Sequence, residues 1–313
     1  MNKLAFIFPG QGAQTVGMGK DLHDNFELAR RMFEEADDAL GFSIKKLCFE
    51  GPADELMLTA NTQPAILTVS VIAARLLMEE GVQPDIAAGH SLGEYSALVA
   101  AGVMDFADAV RVVNKRGQYM QEAVPVGEGG MAAILGIERE KIVELCAEAS
   151  AVSPVQAVNF NCPGQTVIAG AAAGVEKAVE LCKAAGAKMA VLLPVSAPFH
   201  SPLMKPAAEK LALELDKIEI RDAAFPVAAN VNGQLETAAS DIKANLITQA
   251  DHPVKWEDCV AAMTAFGADT HVEAGPGKTL CGFDKRIDRK LKSLNVGDCA
   301  GLQKALEFFR EAG

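Results

Sequence analysis

Gly89-His90-Ser91-Leu92-Gly93 sets a glycine two residues before and two residues after a serine, directly behind the short apolar run Ile86–Gly89. A stretch with helical spacing follows, from about residue 93 to 101. A strand that turns at once into a helix needs residues without a Cβ where the two backbones approach. The same turn lifts the serine hydroxyl above the sheet, close to the positive end of the helix. Strand, tight turn and helix in that order call for a parallel sheet covered by helices, so the fold class is α/β. The apolar run Lys3–Phe8 reads as a second buried strand. It is closed by Pro9-Gly10, and the loop Gly10-Gln11-Gly12-Ala13-Gln14 follows as a candidate site element. Residues 225–230 and 270–273 read as further strands of this sheet, and residues 21–40 and 63–80 carry helical spacing.

From about residue 126 to 194 the texture changes. Residues 130–135 read as a strand, 138–149 as a helix, 155–159 and 165–170 as strands, 173–185 as a helix and 187–192 as a strand. The order β-α-β-β-α-β is that of a ferredoxin-like unit. The expected organisation is therefore a core of residues 1–125 and 195–313 with a small subdomain, 126–194, inserted into it. On the residues alone, the alternative that these elements continue the main sheet stays open.

Composition excludes several classes. Of the 313 residues, 50% are hydrophobic, enough for a large core, and the formal net charge of −12 argues against a nucleic-acid partner. No apolar stretch approaches the roughly 18 residues of a membrane span, and Pro9-Gly10 interrupts the N-terminal run before a signal segment could form. A cytoplasmic protein is expected. The seven cysteines are scattered without close pairs, which fits reduced thiols and neither a zinc site nor a disulfide framework.

A serine nucleophile at position 91 needs a base. Among the five histidines, His90 adjoins the turn and should point elsewhere, His23 lies at a helix entry, His252 sits beside Asp251 and Pro253 in a loop setting, and His271 falls in an apolar strand. His200 stands in the proline-framed loop Pro194-Val195-Ser196-Ala197-Pro198-Phe199-His200-Ser201-Pro202, where the chain returns to the main sheet. The residues leave His200 equally open as the base or as a loop or cap histidine. Arg116 belongs to a helix with Val110, Val113 and Met120 inward. A guanidinium there suits a substrate carboxylate, because its planar fork forms two parallel hydrogen bonds. On spacing alone, a solvated face shared with Arg111 and Lys115 is the simpler reading.

Taken together, several segments resemble the malonyl-CoA:acyl carrier protein transacylase family over nearly the whole chain. They are Phe8-Pro9-Gly10-Gln11-Gly12-Ala13-Gln14, Asn61-Thr62-Gln63-Pro64-Ala65, Gly89-His90-Ser91-Leu92-Gly93-Glu94, Arg116-Gly117, Ala197-Pro198-Phe199-His200-Ser201, Asn230-Val231, Pro253-Val254-Lys255-Trp256 and Glu273-Ala274-Gly275-Pro276-Gly277. The resemblance implies an α/β-hydrolase-like core with a ferredoxin-like insertion. It implies Ser91 as nucleophile, His200 as base and acid, and Arg116 as the clamp on a malonyl carboxylate. It also implies an oxyanion hole from the main-chain N–H groups of Gln11 and Leu92, and a main-chain carbonyl at Gln249 that orients the imidazole in place of an aspartate. Gln63 matches a pocket position, although a helix N-terminal role fits it equally. Phe199 matches the bulky aromatic of malonyl-selecting members. Malonyl-CoA and acyl carrier protein are the implied substrates, with no metal or redox cofactor, and the family suggests a monomer. Lys285, Arg286, Arg289 and Lys290 form a basic cluster that would suit an acidic carrier protein, or simply a solvated helix. Two rivals share parts of this pattern: a serine esterase or thioesterase that passes the acyl group to water, and a binding module without chemistry. Arg116 and the Gln11 loop weigh against the first, and the full set of nucleophile, base candidate and clamp weighs against the second.

Overall fold

The computed structural model describes residues 3–195 and 197–312. Among the described residues, ten strands run in chain order as β1 (Lys3–Phe8), β2 (Ile86–Gly89), β3 (Gly129–Leu135), β4 (Val155–Cys162), β5 (Gln165–Ala171), β6 (Met189–Leu192), β7 (Val227–Ala228), β8 (Leu235–Glu236), β9 (Ala268–Ala274) and β10 (Lys292–Val296). They build two sheets, one of order β10-β9-β1-β2-β7-β8 and one of order β4-β5-β3-β6. The larger sheet is parallel from β10 to β7, and only the short edge strand β8 runs antiparallel, against β7.

Strand β1 shows why this sheet lies in the middle. Leu4, Phe6 and Phe8 pack into one apolar cluster, while Ala5 and Ile7 pack into another on the opposite face. Successive side chains of a strand point to opposite faces, so a strand apolar at every position must be covered twice. Helices Thr59–Glu79, Leu92–Ala100 and Phe106–Glu122 cover one face, and helix Trp256–Phe266 lies on the other.

The smaller sheet is antiparallel throughout, and its two helices, Arg139–Ala149 and Ala172–Ala184, cover one face. Its strand order is that of a βαββαβ unit. On its other face Met131, Val158, Val167 and Ala169 pack against Met120, Phe199 and Met204. The sheet is fastened to the larger body along β4. Phe160 donates its main-chain N–H to the carbonyl of Val254 at 2.9 Å, Val254 donates to Val158 at 2.7 Å, and Arg139 grips the Asp258 carboxylate with two nitrogens at 2.9 and 3.2 Å.

The local boundaries differ from the sequence expectation where tertiary demands intervene. Residues 21–40 are two helices, Lys20–Asn25 and Glu27–Leu40, broken at the extended Phe26. The helix expected from residue 63 starts at Thr59 and carries Pro64 within it. A proline cannot donate to the carbonyl four residues back, and here that carbonyl, of Ala60, accepts Asn114 Nδ2 at 2.7 Å instead. The strand expected over residues 225–230 is confined to Val227–Ala228. All seven cysteines are free thiols. No described helix is long and apolar enough to cross a membrane.

Candidate active site

Ser91 sits between β2 and helix Leu92–Ala100 with φ 52° and ψ −106°. Among the described residues, only Ser91 and His200, at φ 62°, hold a positive φ without being glycine. Such a conformation costs about 1–3 kcal/mol at each residue and persists only where the surroundings enforce it. Here the glycines of the turn permit it: a Cβ on Gly89 would stand 1.9 Å from the carbonyl of Gly93, and one on Gly93 would stand 2.1 Å from the carbonyl oxygen of Phe8. Hydrogen bonds then enforce it. Ser91 donates its main-chain N–H to Asn230 Oδ1 at 2.7 Å, Asn230 Nδ2 donates to the Gly89 carbonyl at 2.7 Å, and Gln249 Nε2 donates to the Ser91 carbonyl at 2.9 Å.

The Ser91 hydroxyl lies 2.7 Å from His200 Nε2, and His200 Nδ1 lies 2.8 Å from the main-chain carbonyl of Gln249. A carbonyl only accepts, so Nδ1 carries the proton and Nε2 is left as the acceptor facing the serine. Gln249 closes helix Ala239–Gln249, where the last carbonyls have no intrahelical donor. That free carbonyl, at the negative end of a helix, does what a carboxylate does in a serine triad. His200 is buried. Burial, and then the neighbouring Arg116 cation, push its pKa down to about 3, so the ring is neutral at physiological pH.

The other histidines are engaged elsewhere. His90 directs Nε2 to Asn161 Oδ1 at 2.8 Å, His23 and His252 meet Asp24 and Asp251 on the surface, and His271 is buried against Asp284 at 3.0 Å. The reading of Arg116 that spacing favours is wrong: it is not on a solvated face but only 1% exposed. Its helix buries Asn114, Arg116 and Gly117 together with the apolar positions against helix Thr59–Glu79 and the cleft. The guanidinium donates to Gln63 Oε1 at 2.7 Å, Gln249 Oε1 at 2.8 Å and the Ser91 hydroxyl at 3.0 Å. None of these oxygens is a carboxylate, and Nε has no partner among the described residues.

These groups line a cavity of about 130 Å³ between the two sheets. Its lining joins Gln11, Gln63, Ser91, Leu92, Arg116 and Met120 of the larger body with Met131 and Asn159 of the smaller sheet, and with Leu193, Val195, Phe199 and His200 of the segment that follows β6. Leu92 opens its helix, so its N–H has no intrahelical acceptor. The basic cluster lies apart from the cavity. Lys285, Arg289 and Lys290 are exposed, whereas Arg286, also exposed, donates to Gln165 Oε1 at 2.5 Å and the Pro163 carbonyl at 3.3 Å, joining the larger body to the β4–β5 turn. Among the described residues no group of side chains is suited to hold a metal ion.

A model of the acyl transferase domain family matches residues 5–302. A malonyl CoA-acyl carrier protein transacylase of Bacillus subtilis strain 168 is 50% identical over 312 residues, which cover 99% of this chain and 98% of that protein. The chain belongs to the malonyl CoA-acyl carrier protein transacylase family. Solved structures of transacylases superpose closely. An acyl carrier protein S-malonyltransferase of Vibrio cholerae has a TM-score of 0.95 at 48% identity, covering 97% of this chain and 99% of that one. The malonyl-transacylase PlMCAT, solved in complex with the type II polyketide acyl carrier protein AntF, has a TM-score of 0.95 at 47% identity, covering 98% and 99%.

Asn230, Glu94 and the side chain of Gln249 are the parts of the site that the sequence did not assign. Asn230 follows a strand of two residues at the carboxyl end of the sheet, the position from which open α/β sheets present site residues. That position is the one signal that could have drawn attention to it.

Proposed function

We propose that this chain moves the malonyl group of malonyl-CoA to the phosphopantetheine thiol of acyl carrier protein through an ester on Ser91, supplying fatty acid synthesis. One observation supports this reading above the rest: a guanidinium buried beside the Ser91–His200 pair, held by neutral oxygens alone. A thioesterase acting on neutral acyl chains would gain nothing from a buried cation, and burying one without a partner is costly. A malonyl carboxylate entering the cleft completes the site, because it supplies the missing charge.

In the loading step the Ser91 oxygen attacks the thioester carbonyl while His200 Nε2 takes the hydroxyl proton. The main-chain N–H groups of Gln11 and Leu92 receive the developing oxyanion. The tetrahedral adduct collapses with rupture of the C–S bond, the sulfur leaving as CoA with the proton from His200. In the second half-reaction the carrier thiol attacks the Ser91 ester, His200 takes its proton, and that proton returns to Ser91 as the ester breaks. The exchange of one thioester for another needs no redox or metal cofactor. Incubation with malonyl-CoA should add one malonyl mass to the intact protein, and holo acyl carrier protein should discharge it. Rapid loss of that mass to water without a carrier would favour a thioesterase.

Arg116→Ala should change the acyl preference. Malonyl transfer should fall by about 2–4 kcal/mol of transition-state stabilisation, while acetyl transfer holds steady or rises, since acetyl never paired with the cation. Arg116→Lys should recover only part of the malonyl rate, because an ammonium cannot form the parallel pair. An equal loss for both acyl groups would make Arg116 a structural residue.

The cluster Lys285, Arg286, Arg289 and Lys290 is the proposed landing surface for the acidic carrier protein. Arg286 already holds the β4–β5 turn, so Arg289→Glu with Lys290→Glu is the cleaner test. The pair of reversals should raise the carrier-protein KM and leave malonyl loading unchanged. An unchanged KM would place the landing surface elsewhere. The reading places the enzyme in the cytoplasm among dissolved partners, and a monomer suffices for it because one chain supplies every group used.

A further inference from the structure

Glu94 takes no part in the reaction above, yet its carboxyl lies at the root of the site. It is fully buried in the first turn of helix Leu92–Ala100. Its Oε2 accepts the Asn230 main-chain N–H at 2.9 Å and Gln249 Nε2 at 3.0 Å. The same Gln249 nitrogen donates to the Ser91 carbonyl at 2.9 Å. A side-chain amide has one donor end and one acceptor end. With its NH2 engaged by two acceptors, the Gln249 amide must present Oε1 on the other side, and Arg116 donates to it there at 2.8 Å.

We propose that Glu94 is a positioning residue for acyl selection: by holding the NH2 of Gln249 it fixes the amide oxygen against Arg116, and so sets the guanidinium in place for the substrate carboxylate. This rests on the role of Arg116 given under the proposed function. The amide between the two groups is what makes the arrangement useful. A carboxylate touching the guanidinium directly would hold it as firmly but would compete with the incoming carboxylate for its charge. An amide oxygen orients the guanidinium and leaves its charge available. Burial, followed by the neighbouring Glu236 carboxyl, raises Glu94 to about 8, so at neutral pH it is mainly the uncharged acid. Without an acceptor at position 94, the Ser91 carbonyl alone still holds the Gln249 NH2 at 2.9 Å, and turning the amide over to oppose its NH2 to the guanidinium, donor against donor, becomes less costly.

The proposal predicts a selective defect, read as the ratio of kcat/KM for malonyl to that for acetyl loading. Glu94→Leu keeps the volume but removes the acceptor, and should lower this ratio about 10- to 100-fold. Glu94→Gln, which retains an acceptor oxygen and resembles the uncharged acid, should restore most of it. A general loosening of the turn would instead depress both acyl groups alike. Should Glu94→Leu not fold, Gln249→Leu reads the same link, because it deletes the amide but keeps the main-chain carbonyl behind His200. An unchanged ratio in the folded variant overturns the proposal, and so does a Glu94→Gln variant as impaired as Glu94→Leu. Arg116→Ala, assayed alongside, separates the two readings. If it collapses the ratio while the Glu94 variants do not, only the positioning role fails; if it leaves the ratio intact, the reading of Arg116 fails first.

Discussion

Ser91→Ala is expected to yield a folded protein that never gains malonyl mass and transfers nothing to acyl carrier protein. The substitution deletes a single oxygen, the atom that would carry the acyl group between the two thiols, and no neighbouring group is placed to replace it. The fold should tolerate the loss. Alanine meets the same backbone strain at φ 52° as serine does, and the bonds that hold the turn run to the main-chain N–H and carbonyl of residue 91, which survive. The hydroxyl itself contacts only His200 and Arg116. A change in stability of about 1 kcal/mol or less is expected, measurable as a small shift in the denaturant midpoint. Malonyl label on the variant would move the nucleophile to another residue.

His200→Ala should slow both half-reactions by about a thousand- to ten-thousand-fold, because the proposed cycle uses this one imidazole as base and acid in each. Single-turnover loading and discharge, measured separately, should show comparable losses. A loss confined to one step would mean that another group serves the second. The wild-type pH profile carries a further signature. Burial and then Arg116 disfavour the imidazolium, with a free-enzyme pKa near 3, so the base remains neutral and competent as pH falls through the usual histidine range. The acid limb of kcat/KM for loading, which reports the free enzyme, should therefore lie well below pH 6. On the role proposed for Arg116, a bound malonyl carboxylate would offset its charge, relieve the second of these causes, and shift the limb of kcat to higher pH. An acid limb near 6.5 in kcat/KM would show that solvent reaches His200 in the free enzyme.

The parts of this molecule legible in the sequence are those written in local constraints. The turn at Ser91 was readable because two backbones approach too closely there for any residue but glycine. Strand β1 was readable because a central parallel strand is apolar on both faces; the β-α-β-β-α-β order of the smaller unit was readable too, although the residues left open whether it continued the main sheet. The site was less legible, since its contacts span 109 residues from Ser91 to His200 and 49 from His200 to Gln249. No local pattern distinguishes the base among five histidines or marks the last carbonyl of a helix as its partner. Resemblance to a family supplied those assignments where the residues left them open. Arg116 defeated periodicity for a different reason: its helix buries a polar stripe, and a search for apolar spacing counts such residues as solvent-facing.

The return of the chain from the small sheet has a consequence for how this scaffold can diversify. Leu193 and Val195, which line the cavity, precede His200 by only seven and five positions, and β4 is bonded through the main chain to Val254, five residues beyond the helix whose last carbonyl faces the imidazole. Moving the smaller sheet as a rigid piece to admit a larger acyl group would pull on the imidazole and on its supporting carbonyl at once. Room for new substrates must then come from exchanging side chains such as Met131, Leu193, Val195 and Phe199 at a fixed backbone, one volume at a time. A lineage built on this architecture would explore chain length and branching in small steps while its catalytic pair stays in register.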